Sequence, residues 1–268
     1  MPILYNPQTQ EPYLRLPAPL SHIILTPHRL HQLEETIAAK VPLLNDPRIY
    51  LNLTGPPYPY LREHEEEWVK SKCAAAEPVL QALRAEFQTS VPQQRYFDLC
   101  PFTVIREVTE EDPQTGHPKQ DVLIGDIEIA RYMFYEYRHD SPERAEAQRL
   151  NNELPPGDEG IAWGIGCYSY CAGLCSLMIL SCSDFLAPSH HGRGIMTLVL
   201  RTLIQDWGVP RMNTKRLMAS AFVENAGSLR VFEKNGFEVL CTLEDWAPYP
   251  ENRGGGWKSL TVVQWRGF

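Results

Sequence analysis

Between Ser189 and Met196 the chain reads SHHGRGIM, a glycine turn that runs directly into the apolar stretch IMTLVLRTLIQDW. A glycine-rich turn that opens a helix presents unpaired backbone N–H groups and the positive end of the helix dipole, an arrangement suited to a phosphate or pyrophosphate. Gly192 and Gly194 would let the backbone approach such a group closely, and Arg193 would neutralise its charge from the rim. A turn of this kind before a helix serves packing as readily as it serves a ligand. His190 and His191 would contact a phosphate or relay a proton, or stand as polar loop residues.

A second segment downstream narrows the choice. In VENAGSLRVFEKNGF a strand ends near Asn225 and a helix runs to Gly236. Together the two segments resemble the paired signatures of the GNAT acetyltransferases: a [QR]xxGx[GA] pyrophosphate loop against SHHGRG, and NxxSxxxxxKxGF against Asn225, Ser228, Lys234, Gly236 and Phe237. The opening ILTPHRLHQL, the GPPYPY cluster, IGDIEIA and the closing TVVQWR resemble the branch that acetylates protein N-termini or small amines. The resemblance implies acetyl-CoA as cofactor, held by Leu186, Ala187, Ser189, His191, Gly192, Arg193, Gly194, Ile195, Met196, Asn225 and Ser228. It implies an amine acceptor, a peptide N-terminus or small amine, and a backbone N–H near Phe185 to Ala187 as the donor to the developing oxyanion.

The departures from the family pattern bear on catalysis. Ser189 stands where the family has Gln or Arg, which replaces one side-chain contact with a hydroxyl and leaves the backbone cradle intact. Where many relatives carry a tyrosine that protonates the departing thiolate, this chain has Phe232, so Ser228 becomes the candidate acid by resemblance. The alternative is that Ser228 only caps a helix. The glutamate that some relatives carry before the IG of the cofactor strand is Gly164, and Glu128 on GDIEIA is the substitute candidate for the base; the alternative is a solvated strand residue. A weak base suits an α-amine, since deprotonation at pH 7 costs about 1–1.4 kcal/mol for a pKa of about 7.7–8.0 and roughly 4.6 kcal/mol for lysine.

Positioning these residues asks for an α/β (α+β) chain, a single GNAT-type domain over 1–268 with a mixed central sheet, splayed parallel strands and flanking helices. SHIILTPHRLHQLEETIAAK predicts a strand and a helix that Thr26 caps and Pro27 opens. LREHEEEWVKSKCAAAEPVLQALRAEF has helical spacing that Pro78 interrupts or kinks, with REHEEE as an exposed face. Pro101 to Val108 and Asp121 to Ala130 predict antiparallel strands, Arg131 to Asp158 a long ordered loop, and Glu159 to Gly166 another strand. Strand, helix and two closing strands follow the glycine turn, with Trp246 and Trp265 as core residues.

Composition excludes some partners. Twenty-five basic residues against 33 acidic ones, a formal net charge of −8, leave no footprint for nucleic acid. The N-terminus has neither a basic nor an apolar leader region, which predicts a cytoplasmic location, a nuclear one remaining open, and no membrane association. Seven cysteines make no disulfide framework. Four of them fall in CYSYCAGLCSLMILSCSDF, and residues 168–184 interrupt what would otherwise be one cofactor-binding strand from WGIG to FLAPSHHGRG. The cysteine spacing matches no zinc pattern, so no metal is expected, and the apolar run is too short to cross a membrane. An insertion remains, either a genuine loop or a translated in-frame intron, for which the codons allow a GT across Gly166 and Cys167 and an AG within Ser183. Two rivals to an active enzyme stay open: a GNAT-fold protein that binds acetyl-CoA without catalysis, and a nucleotide-binding α/β domain, against which the absence of GxxxxGK[ST] counts.

Overall fold

The computed structural model describes residues 3–89, 95–138, 140–166 and 184–267. The N-terminal part forms β1 (Leu4–Tyr5), β2 (Pro12–Arg15) and β3 (Ile23–Thr26), then α1 (Leu33–Leu44), the single turn α2 (Pro47–Tyr50) and the long α3 (Arg62–Thr89). Thr26 caps nothing: it ends β3 with its hydroxyl accepting from Arg106 Nε at 3.1 Å, and the chain reaches α1 through a 3₁₀ turn at Leu30–Gln32. Pro78 does not interrupt α3, because Ala76, Val79, Leu80 and Leu83 around it are buried in the main core and hold the helix together across the missing N–H.

The middle of the chain gives β4 (Val104–Glu111), β5 (Pro118–Asp126), β6 (Ile129–Arg131), α4 (Pro142–Glu153), β7 (Ala162–Ile165) and β8 (Phe185–Leu186). The expected loop from Arg131 to Asp158 therefore contains a helix. Ser141 caps α4 by accepting from Arg144 N, and Pro142 opens it. Its fastenings are polar: Arg144 Nε and Gln148 Nε2 both donate to Met133 O, and Asn151 exchanges hydrogen bonds with Ala162 N and O. The C-terminal part adds α5 (Ile195–Leu203), a π-helical turn at Ile204–Gly208, α6 (Val209–Met212), β9 (Arg216–Phe222), α7 (Ala226–Glu233), β10 (Phe237–Pro248) and β11 (Trp257–Trp265). Trp246 and Trp265 lie on strands but are only half-buried.

The strands form two sheets, ordered β1-β2-β3-β4-β5-β8 and β10-β11-β9-β7-β6. Two strand lines cross from one sheet to the other: β5 continues into β6, and β7 and β8 both pair antiparallel with that line. Ile165 faces Ile129, and Phe185 faces Asp126. Between these partners lie Ile127 and Glu128 on one line, and on the other Gly166 and Asp184 flank residues 167–183. The sequence-predicted insertion thus lies outside the described residues except for Asp184, which the register places in the strand line.

β7 also runs parallel to β9, from Ala162 opposite Arg216 to Ile165 opposite Ala219. There the pairing stops. β9 goes on through Ser220, Ala221 and Phe222 against β11, while β8 pairs only with β5. The two parallel strands part at this point, and among the described residues one edge of β8 has no strand partner.

Gly125 makes the β5–β8 contact possible. A Cβ there would stand 2.3 Å from Phe185 O and 3.2 Å from Leu186 Cα. Gly125→Ala is therefore expected to push β8 away and to cost about 1–3 kcal/mol in urea unfolding. Gly227→Ala in α7, where the nearest atom would be an ordinary 3.6 Å away, is expected to be neutral or stabilising by up to about 1 kcal/mol. A wild-type midpoint for the Gly125 variant would refute the constraint.

Candidate functional site

A cavity of about 1460 Å³ opens where β8 and β9 part. Its walls include Leu186 on β8, Ser220, Ala221 and Phe222 on β9, and the first residues of α5 and α7. Both sequence-predicted signatures therefore converge on one space.

The glycine turn supplies one end. Gly192 and Gly194 adopt φ +74° and +77°, and a Cβ on either would meet nothing within 4 Å. Gly194 is the N-cap of α5, and no side chain caps the helix. The N–H groups of its first turn are thus left for a ligand, backed by the helix dipole. An acyl carrier with a pyrophosphate fits these residues: the turn is donor-rich, and it is open at Gly192 and Gly194, which carry no Cβ.

α7 is fixed beside it. Asn225 caps α7, its Oδ1 accepting from Ser228 N at 3.1 Å. Asn235, fully buried, donates to Thr197 O at 3.1 Å and Val231 O at 2.8 Å, which ties the turn after α7 to α5. Capping is Asn225's task, so the Ser228 side chain is spare: its hydroxyl forms no hydrogen bond among the described residues, and it borders the cavity.

The backbone of β8 provides a directed donor. Ala187 N donates to Ile124 O at 2.6 Å, on the β5 side. Alternation along a strand then turns the N–H of Leu186 to the opposite side, toward the gap. The carbonyl of Leu186 lies on that side as well, 2.7 Å from His191 Nε2, so His191 braces the strand rather than standing loose in a loop.

Of the residues expected at the site, Leu186, His191, Gly192, Gly194, Ile195, Met196, Asn225 and Ser228 line the cavity. Ala187, Ser189 and Arg193 are not among its walls. Ser189 Oγ bonds His190 Nδ1 at 2.9 Å, and Arg193 reaches toward Glu107 at 3.9 Å. His190 does line the cavity and contacts Glu107 at 3.2 Å. Sequence reasoning named Lys234 only as a match to the NxxSxxxxxKxGF pattern and passed over Arg230; Arg230 on α7 and Lys234 at its C-cap are one helical turn apart and both at the cavity wall, and a pair of cations four residues apart in SLRVFEK was the available signal.

Glu128 lies outside the cavity wall. It is neither solvated nor free: it is 6% exposed, and Oε1 accepts from Lys72 Nζ at 2.6 Å. It belongs to a buried charged cluster beneath the β5–β6 connection. Lys40 pairs with Asp126 and lies 3.4 Å from Glu65 Oε1, while Tyr60 donates to Glu65 Oε2 at 2.8 Å. Glu65, expected on an exposed face, is wholly buried, and burial pushes its carboxyl up to about 7 against the pull of Lys40. His28 in the same region is held well below its ordinary value, by burial first and then by Lys40, Lys72 and Arg106. Among the described residues no cluster of three metal-ligating side chains occurs, and no helix is long and apolar enough to cross a membrane.

Comparison with known proteins agrees with this geometry. Residues 103–238 match the family model described as an acetyltransferase (GNAT) domain. The "Probable N-acetyltransferase YjcK" of Bacillus subtilis (strain 168) is 42% identical over 53 residues, which cover 20% of this chain and only 29% of that protein's length. Among solved structures, a GNAT-family acetyltransferase from Bacillus anthracis superposes with a TM-score of 0.51 at 11% identity, covering 94% of this chain and 96% of the other. RimL, the ribosomal L7/L12 alpha-N-protein acetyltransferase, superposes with a TM-score of 0.52 at 11% identity over 98% of both chains. At such identities the structures speak for the fold; the family model spans half of the sequence and contains the glycine turn, the parting strands and α7, and the chain belongs to the GNAT acetyltransferase family.

Proposed function

We propose that this protein is an acetyl-CoA-dependent N-acetyltransferase that transfers the acetyl group to a primary amine, a peptide N-terminus or a small amine, by direct attack. One observation carries the reading: the uncapped glycine turn of α5 and the gap-facing N–H of Leu186 open on the same cavity, with the spare hydroxyl of Ser228 at its wall. The turn would hold the pyrophosphate of acetyl-CoA, Arg230 and Lys234 would stand near its other phosphate, and the thioester would reach into the gap between β8 and β9. Acetyl-CoA supplies an activated acyl group with a thiol leaving group.

In that position the N–H of Leu186 donates to the oxygen that gains charge as the amine attacks, a fixed dipole that needs no reorganisation in the transition state. Ser228 donates a proton to the departing thiolate. RimL, by its name an α-N-protein acetyltransferase, acts on the acceptor class favoured by the low cost of deprotonating an α-amine. Release of CoA thiol from acetyl-CoA, followed across N-terminally free peptides and polyamines, tests the activity and sorts the acceptors.

The insertion expected at 168–184 enters this proposal with its bounds moved to 167–183, as a segment that the site does not need, since the β7–β8 line, Asp184 included, faces the β5–β6 line two residues for two without it. Deleting 167–183 is expected to give a folded protein whose turnover equals or exceeds that of the full chain; an inactive, folded deletion would sink the idea.

Two substitutions probe the cavity. Gly192→Asp with Gly194→Asp would set two carboxylates against the pyrophosphate, and acetyl-CoA affinity by calorimetry is expected to fall by roughly a hundredfold or more, close to 3 kcal/mol. Unchanged affinity in the folded double variant would remove the turn from the binding site. Ser228→Ala is expected to lower kcat on the order of 100-fold while leaving acetyl-CoA affinity within about twofold, the signature of an interaction made in the transition state. Wild-type turnover in that variant would exclude the serine as the acid.

A further inference from the structure

We propose that Asp184 is the catalytic base, the group that takes the proton from the acceptor amine. The proposal rests on the acetyltransferase reading above and deepens it.

Placement comes first. Asp184 is the residue immediately before Phe185 and Leu186, so its side chain stands beside the strand whose N–H faces the gap. It borders the cavity and is the only carboxylate among the described residues that do so; the charged side chains at the wall are otherwise arginines and a lysine. Glu128, by contrast, spends its charge on Lys72 behind the wall.

Orientation comes second. Asp184 Oδ1 accepts from the backbone N–H of Glu128 at 3.0 Å, which fixes the carboxylate plane. Among the described residues no hydrogen bond engages Oδ2. Gly166 makes room for it: a Cβ at that position would stand 3.0 Å from Oδ2.

Electrostatics comes third. The charges that act on Asp184 are those of Glu128 and Asp126 from the β5–β6 connection; behind them Lys72 of α3 pairs with Glu128, and Lys40 of α1 pairs with Asp126 and lies 3.4 Å from Glu65 of α3, with His28 held neutral beside the two lysines. Among the described residues, four carboxyls share two ammonium groups there. Burial, then the negative charges of Glu128 and Asp126, hold the Asp184 carboxyl well above its ordinary range. A carboxylate in such a setting binds a proton readily, and a cationic amine entering the cavity supplies the positive charge that the cluster lacks.

The proton count closes. The acceptor arrives as an ammonium ion and passes one proton from nitrogen to Asp184 Oδ2. The freed lone pair attacks the thioester carbon, a C–N bond forms and the C–S bond breaks. Ser228 protonates the thiolate, and the second proton released from nitrogen restores the serine hydroxyl. Asp184 returns its proton to solvent. The products are the N-acetyl amine, CoA thiol and one proton.

The sign of the pH dependence follows. Activity requires Asp184 ionised, so kcat/KM should fall as pH drops through its raised pKa. The test uses the full-length chain, acetyl-CoA and two probe amines: glycinamide, largely protonated at the acid end of the range, and trifluoroethylamine, mostly neutral across it. Asp184→Asn preserves the acceptor for Glu128 N–H and should lower kcat/KM for glycinamide by roughly 100-fold or more, abolish the acid limb, and cost trifluoroethylamine much less. Glu128→Gln removes a like charge and should move the acid limb to lower pH while keeping it. An Asp184→Asn enzyme with a wild-type rate and limb overturns the proposal, as does equal loss for both amines, or a limb abolished by Glu128→Gln alone. Acetyl-CoA binding measured by calorimetry on the same proteins separates the two readings. A wild-type chain that fails to bind overturns the acetyltransferase reading and this proposal together; one that binds yet acetylates neither amine overturns this proposal alone.

Discussion

The parting of two parallel strands governs the rest of this structure. Hydrogen bonding between β7 and β9 satisfies both strands as far as Ile165 and Ala219, and beyond that point β8 keeps, among the described residues, a strand neighbour on one side only. A backbone N–H left unpaired in a protein interior carries a penalty of about 1–3 kcal/mol. The fold tolerates one at Leu186 because the gap opens into a cavity rather than into packed side chains. The same parting creates the space for an acyl group and the donor that would polarise it. Other features serve to hold β8 in that exposed position: Gly125 lets β5 approach from one side, Ala187 N–H is anchored on Ile124 O, and His191 braces the carbonyl of Leu186.

Behind this strand the molecule buries more charge than a core of its size can hold cheaply. Lys40 and Lys72 answer Asp126 and Glu128, and both ammonium groups lie over the ring of Trp68, at 5.6 Å and 4.4 Å. A buried ion pair returns little net stability, since desolvation offsets most of the attraction. Its value here is positional. Lys40 joins α1 to the end of β5 and lies 5.9 Å from the Phe185 ring, while Lys72 joins α3 to the β5–β6 connection, so both helices are keyed to the strand line that carries the site. Burial, opposed by Lys40 and reinforced by the charge of Asp126, raises the Glu65 carboxyl to about 7, so the cluster can hold a proton near neutrality.

Much of the site was legible in the sequence because its chemistry is local. A glycine turn with its helix, and a capped helix ending in NGF, are short contiguous signals whose function follows from backbone geometry. The α/β alternation after Pro188 was legible for the same reason. What escaped was long-range. REHEEE looks like a solvated face until Lys40 arrives from α1 to pair with Glu65. Glu128 looks like an outward strand residue until α3 brings Lys72 to it. The helix α4 escaped because it is anchored by Arg144, Gln148 and Asn151 rather than by an apolar stripe, and periodicity reads only the latter. Its start was nevertheless written in Ser141 and Pro142.

Asp184 shows how a single register can change the reading of a residue. Counted along the chain, it is the last member of a cysteine-rich stretch that interrupts a strand, and nothing local marks it as reactive. Counted across the sheet, it occupies the place beside Gly166 in the β7–β8 line, opposite the Ile127–Glu128 pair of the partner line. That place is where the strand line leaves β9, and Asp184 borders the cavity there together with Phe185 and Leu186, which also enter packed clusters. Asp184 thus stands next to the same parting that exposes the Leu186 N–H, two residues before it along the strand line. A catalytic base in this position would need no side chain from the customary glutamate site at Gly164. On that proposal Asp184 would stand in for the glutamate missing at Gly164, and the strand line itself would carry both the donor to the oxyanion and the acceptor of the amine proton.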